Sequence, residues 1–199
     1  MKNPISLMSA WPFSWRQPSE IVPEIEKRRL LVSIRRWVGI FIIGLIISGA
    51  TAIPLESEVS WLAKATRAHS FVDAVGNNGA PAWAVWLCRV EGALRELNAK
   101  YPFIGYGGDW LAFGHFMIAL VFVGAWRDPL RNRWLFDFGL MACALVIPYA
   151  LVFGAFRGIP WWWRLVDCSF GIVGAIPLWL ARRAVGRLGD PCPGGTSRQ

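Results

Sequence analysis

The sequence predicts an all-α protein, a four-transmembrane-helix bundle with a periplasmic segment of two amphipathic helices between the first and second spans. Three observations predict it. Apolar runs recur at residues 37–55, 110–126, 138–156 and 165–181. Hydrophobic residues make up 55% of the chain and charged residues only 17%, whereas a soluble domain carries about 25% charge. The chain therefore lacks the polar surface to cover a water-facing globule. Basic residues also gather in the links between the runs, as at 127–133 and 157–164.

Residues 1–36 form a cytoplasmic N-terminal segment, in which Trp11, Phe13 and Trp15 suit either a membrane interface or a disordered stretch. The run 37–55 carries no charge over 19 residues, enough to cross about 30 Å of hydrocarbon. Ala50-Thr51-Ala52 resembles a signal-peptidase site, but 36 residues precede the run. That is longer than a usual signal n-region, so an uncleaved anchor is expected. Gly44, Ser48 and Ala52 form a small-residue stripe that would let another backbone approach.

The insertion 56–109 is the only sizeable extramembrane piece. Trp61, Ala65, Ala68, Val72 and Val75 recur at helical spacing up to Gly76-Asn77-Asn78-Gly79. Pro81 then suits the first turn of a second helix, with Trp83, Trp86, Val90, Ala93, Leu94 and Leu97 on its apolar face. Residues 101–108 are aromatic and glycine-rich and predict a flexible loop back to the membrane. In the third span Pro148 should bend the helix. Gly171 and Gly174 narrow the last span. The membrane domain thus covers 37–183, and 184–199 is a flexible cytoplasmic tail.

With the N-terminus cytoplasmic, 14 Lys and Arg residues fall inside and 7 outside. The positive-inside rule places both termini in the cytoplasm of a multi-pass bacterial inner-membrane protein. The net charge of +8 lies beside apolar runs, where it meets anionic lipid rather than nucleic acid. Cys88, Cys143, Cys168 and Cys192 form no CxxC pair. Cys143 and Cys168 read as packing residues in spans, and Cys88 and Cys192 fall on opposite sides of the membrane. No metal site follows from them.

Polar residues in spans are costly and need partners or a water path. His115, Tyr149 and Asp167 fall at comparable depth in the periplasmic half, with Arg164, Asp109 and Arg157 near the same boundary. Two uses fit: a structural lock between helices, or a site that moves a proton or binds a polar group. At the cytoplasmic side Asp137 can pair with Arg133, Arg127, Arg131 or Arg182, a charge clamp closing the link at Asp128-Pro129. His115 is the only histidine inside a span and His69 lies in the insertion, which disfavours an intrachain bis-histidine haem. No H-E-x-x-H, phosphate loop or nucleophile elbow appears. The cofactor is therefore unspecified, and so is whether the chain is an enzyme.

The strings at 128–134 (DPLRNRW), 157–160 (RGIP) and 164–171 (RLVDCSFG) resemble a family of functionally uncharacterised bacterial multi-span inner-membrane proteins. The resemblance covers about the last 75 residues of the membrane core and, more weakly, 37–55. It implies an inner-membrane location and no particular activity. The expected role is that of a structural or accessory membrane protein interacting with lipid, partner subunits or a second copy of itself. The alternative is a small transporter or membrane-embedded enzyme with a polar pocket in the periplasmic half.

Overall fold

The computed structural model describes residues 23–189. Trp11, Phe13 and Trp15 of the N-terminal segment, Cys192 and most of the tail lie outside the described residues. Seven α-helices follow in order: α1 Glu24–Ala52, α2 Leu55–Ala65, α3 Ala68–Gly79, α4 Ala82–Lys100, α5 Tyr106–Arg127, α6 Arg133–Phe156 and α7 Trp161–Gly189. A 3-10 turn at Pro102–Ile104 precedes α5. Four helical segments are long and apolar enough to cross a membrane: Glu24–Ala52, Pro102–Arg127, Arg133–Phe156 and Trp161–Gly189. The protein is therefore an all-α, multi-pass membrane protein.

The chain divides into two compact units. One is Ile40–Val123; the other combines the chain up to Gly39 with the chain from Gly124 onward. In the second of these, α6 and α7 pack closely because Gly171 has no side chain. A Cβ there would stand 2.5 Å from the Cys143 carbonyl oxygen. Leu135 and Phe136 of α6, and Leu178, Ala181 and Val185 of α7, are buried. At the link before α6, the Asn132 amide donates to the carbonyls of Gly124 and Asp128. The Asp128 carboxylate accepts the Arg131 N–H at 3.1 Å. The Gly124 carbonyl in the last turn of α5 is thereby occupied and the chain turns sharply.

In the unit Ile40–Val123, α1 and α5 meet at Gly49. A Cβ on Gly49 would lie 2.9 Å from the Phe116 ring and 3.1 Å from the Ala112 carbonyl oxygen. Of the expected stripe, Gly44 has nothing within 4 Å of such an atom. The close approach uses the glycine next to the stripe, on another helical face. Phe41 and Phe122 add an aromatic contact at 4.8 Å between centroids.

The insertion differs from expectation in three ways. It holds three helices rather than two, because the segment expected as one helix breaks at Thr66-Arg67. Arg67 takes a left-handed backbone (φ 55°), a conformation that costs about 1–3 kcal/mol and persists only when surrounding packing favours it. The backbone leaves the helix again at Gly76, with φ 70°. Secondly, the faces are rotated in part, although Ala68 and Val72 of the expected face do turn inward. Trp61 and Val75 are exposed, and the core is built from Ala63, Ala68, Ala84 and Leu87, flanked by Val59, Val72 and Cys88. Finally, the expected flexible loop at 101–108 is short. The turn Pro102–Ile104 leads straight into α5, whose first residue Tyr106 meets Trp110 edge to face at 6.0 Å.

Candidate functional site

The polar residues singled out in the spans divide between the two units. Asp109 and His115 belong to Ile40–Val123; Tyr149, Arg157, Arg164 and Asp167 belong to the other. On α5, Asp109 and His115 are six residues apart, a rotation of about 240°, so they face different directions. The His115 ring uses Nδ1–H to donate to the Leu111 carbonyl at 2.8 Å, one turn back on its own helix.

Arg164 was expected near the same boundary as Asp167, three residues on in the sequence. Its side chain crosses Gly154 on α6, where a Cβ would collide with its Cγ and Cδ at 2.7 Å. Its guanidinium donates to the carbonyls of Ile159 at 2.9 Å and Leu151 at 3.3 Å. The Ile159 carbonyl lies in the α6–α7 turn and the Leu151 carbonyl within α6, and both draw the cation away from Asp167. Among the described residues Asp167 forms no ion pair. Tyr149 is 65% exposed and stacks on Phe153 at 4.5 Å. Arg157 caps the end of α6 with its backbone. Within this unit no hydrogen bond joins Tyr149, Arg157 or Asp167 to one another among the described residues.

At the opposite end of the same helices, Asp137 pairs with one of its candidate partners. Arg182 of α7 donates through Nε at 2.7 Å and through a terminal nitrogen at 3.3 Å, a two-pronged geometry. Arg127, Arg131 and Arg133 form no ion pair with it among the described residues.

The tightest polar arrangement lies elsewhere, in the insertion. Glu91 is the one charged residue buried among the described residues, at 3% exposure. Its Oε2 lies 2.6 Å from Nε2 of His69, and its Oε1 accepts from Arg95 at 2.9 Å. Cys88, one turn before Glu91, places Sγ 3.6 Å from the other ring nitrogen of His69. Small residues make this possible: Ala63, Ala68 and Ala84 let α2, α3 and α4 come close. The left-handed turn at Arg67 starts α3 in a direction that brings His69 over α4.

Electrostatics follow from that packing. Burial pushes the Glu91 carboxyl up, but hydrogen bonds from His69 and Ser60 and the charges of His69 and Arg95 outweigh it. They hold the group below the usual carboxylate range. Burial pushes the Cys88 thiol up, and the negative charges of Glu91 and Asp73 raise it further. The imidazole stands between thiol and carboxylate, so the three groups face one another rather than a common centre. No group of three metal-ligating side chains able to hold an ion occurs among the described residues.

Sequence reasoning missed this constellation. The Cys88/Glu91 spacing of three marks only the α4 half, and a glutamate reads as an outward-facing residue. His69 is brought in by a turn at Arg67 that no glycine or proline announces. No family model, curated protein or solved structure matches the chain.

Proposed function

We propose that this chain is a structural or accessory protein of the bacterial inner membrane, akin to the uncharacterised multi-span proteins that its 128–134 and 164–171 strings resemble. Both termini are cytoplasmic and α2–α4 lie on the periplasmic side, in keeping with the excess of Lys and Arg in the other links. Its outward faces meet lipid and the spans of partner subunits or of a second copy. The supporting observation is the way span polar groups are satisfied. His115, Arg164 and Ser169 each donate to nearby backbone carbonyls, which suits helices that hold a shape more than side chains that receive a solute. A recess of about 550 Å³ between α6 and α7, lined by Leu140, Cys143, Ala144, Ile147 and Trp179, is almost wholly apolar. It suits an acyl chain or an apolar side chain of a neighbour.

Purification in mild detergent followed by native mass spectrometry tests this reading. Co-purifying membrane subunits, a second copy or retained lipid are expected. A bare monomer that binds one soluble metabolite stoichiometrically would overturn it. One observation favours a second reading, a small transporter or membrane-embedded enzyme. Asp167 is half-buried in α7 with no ion pair among the described residues, and such a group in a span marks a proton or ligand path. On that reading Asp167→Asn abolishes transport or turnover and leaves folding intact.

A further inference from the structure

We propose that Cys88, His69 and Glu91 form a base-assisted thiol site that captures a disulfide-bearing partner as a mixed disulfide. This goes beyond the role of the spans and rests on different residues.

The order of contacts sets the chemistry. Glu91 is buried and hydrogen-bonded to Nε2 of His69, so whenever the ring is neutral it carries its proton there and leaves Nδ1 as the acceptor. That nitrogen faces Sγ of Cys88. A nucleophile, a base and a group that orients the base thus lie in line, the arrangement by which a weak nucleophile is activated. The third member is held in turn by Arg95. Solvent reaches the pair, since the His69 side chain is 54% exposed and Cys88 is only partly buried.

The surroundings select the reaction. Cys88 lies well inside α4, past the few amides that a helix leaves unbonded. No backbone donor is therefore free beside it to hold an oxyanion, and addition to a carbonyl lacks its main stabilisation. Disulfide exchange needs no such donor. The Cys88 proton passes to Nδ1 of His69 as Sγ attacks one sulfur of the incoming disulfide. The old sulfur–sulfur bond breaks, and the departing thiolate takes the proton back from the imidazolium. The products are a mixed disulfide at Cys88 and a free thiol; no outside oxidant is consumed. Burial, with the negative charges of Glu91 and Asp73, disfavours a resting thiolate, which makes proton removal at the moment of attack useful. The same charges make Cys88 a poor leaving group, so the adduct persists. Cys88 is the only cysteine in the unit Ile40–Val123, so no neighbouring thiol in that unit discharges it.

The test uses the full chain in detergent with Cys143, Cys168 and Cys192 changed to Ala. Dipyridyl disulfide is the probe, and released thiopyridone is followed by absorbance. His69→Gln is expected to slow the reaction about ten-fold or more near neutral pH. Its rate should rejoin that of the parent at high pH, where the thiol ionises unaided. Equal rates near neutral pH overturn the proposal, and so does a loss of the same factor at every pH, which would mean altered access. Should His69→Gln and His69→Asn both misfold, the parent alone decides. A slower reaction in deuterated water near neutral pH supports proton transfer to a base, and an unchanged rate overturns it.

Discussion

Glu91→Ala perturbs the one buried charge among the described residues and separates α3 from α4 at a single point. Removing one member of a buried ion pair costs about 3–5 kcal/mol when the partner stays buried and alone. Here the partners are not trapped. The His69 and Arg95 side chains are 54% and 65% exposed and regain water when the carboxylate goes. The cost therefore falls to the lost charge-assisted hydrogen bonds and a small void, about 2 kcal/mol. That corresponds to about thirty-fold more frequent local opening of the insertion. Glu91→Gln keeps the volume and one acceptor oxygen, and should lose about half as much. Amide hydrogen exchange of α3 and α4 in detergent, followed by mass spectrometry, reads this directly. Exchange in the four spans serves as the internal reference and should be unchanged. If Glu91→Ala leaves α3 as protected as before, the carboxylate does not hold the insertion together.

The same carboxylate makes the insertion acid-sensitive. Its folded pKa is depressed, so its contribution is fully present above the unfolded value of about 4.3 and is lost as pH falls through the lower folded value; α3 protection measured down that range should decline, and Glu91→Gln should flatten the decline. Gly171→Leu should force α6 and α7 apart, because even its Cβ meets the Cys143 carbonyl at 2.5 Å. A loss of about 1–3 kcal/mol in a denaturing-detergent titration is expected, whereas Gly44→Ala, in open space, should change little. Asp137 and Arg182 are 49% and 24% exposed, so a double-mutant cycle with Ala at each should give a coupling of about 1 kcal/mol or less, falling with added salt.

The four spans were legible because their signal is length and apolarity, which local sequence states outright. Arg182 was legible as a partner for Asp137 since each sits at an end of its apolar run. Arg164 was misjudged for a physical reason. Depth along a helix says nothing about whether a guanidinium finds a carboxylate or nearby backbone carbonyls, and here those of Ile159 and Leu151 hold it. The helix break at Arg67 was invisible because arginine has no preference for the left-handed conformation that packing imposes. The inward face of α4 was misplaced for a related reason. It is marked by Ala84, Leu87 and Glu91, and periodicity counts a glutamate as solvent-facing until its partners from α3 are known.

The topology itself is open to the most direct test. C-terminal reporter fusions joined after Lys100 and after Arg131 lie on either side of α5. The four-span arrangement with cytoplasmic termini predicts a periplasmic signal at Lys100 and a cytoplasmic one at Arg131. Signals from the same side of the membrane at both positions would contradict the span at α5, and the reverse pair would invert the orientation.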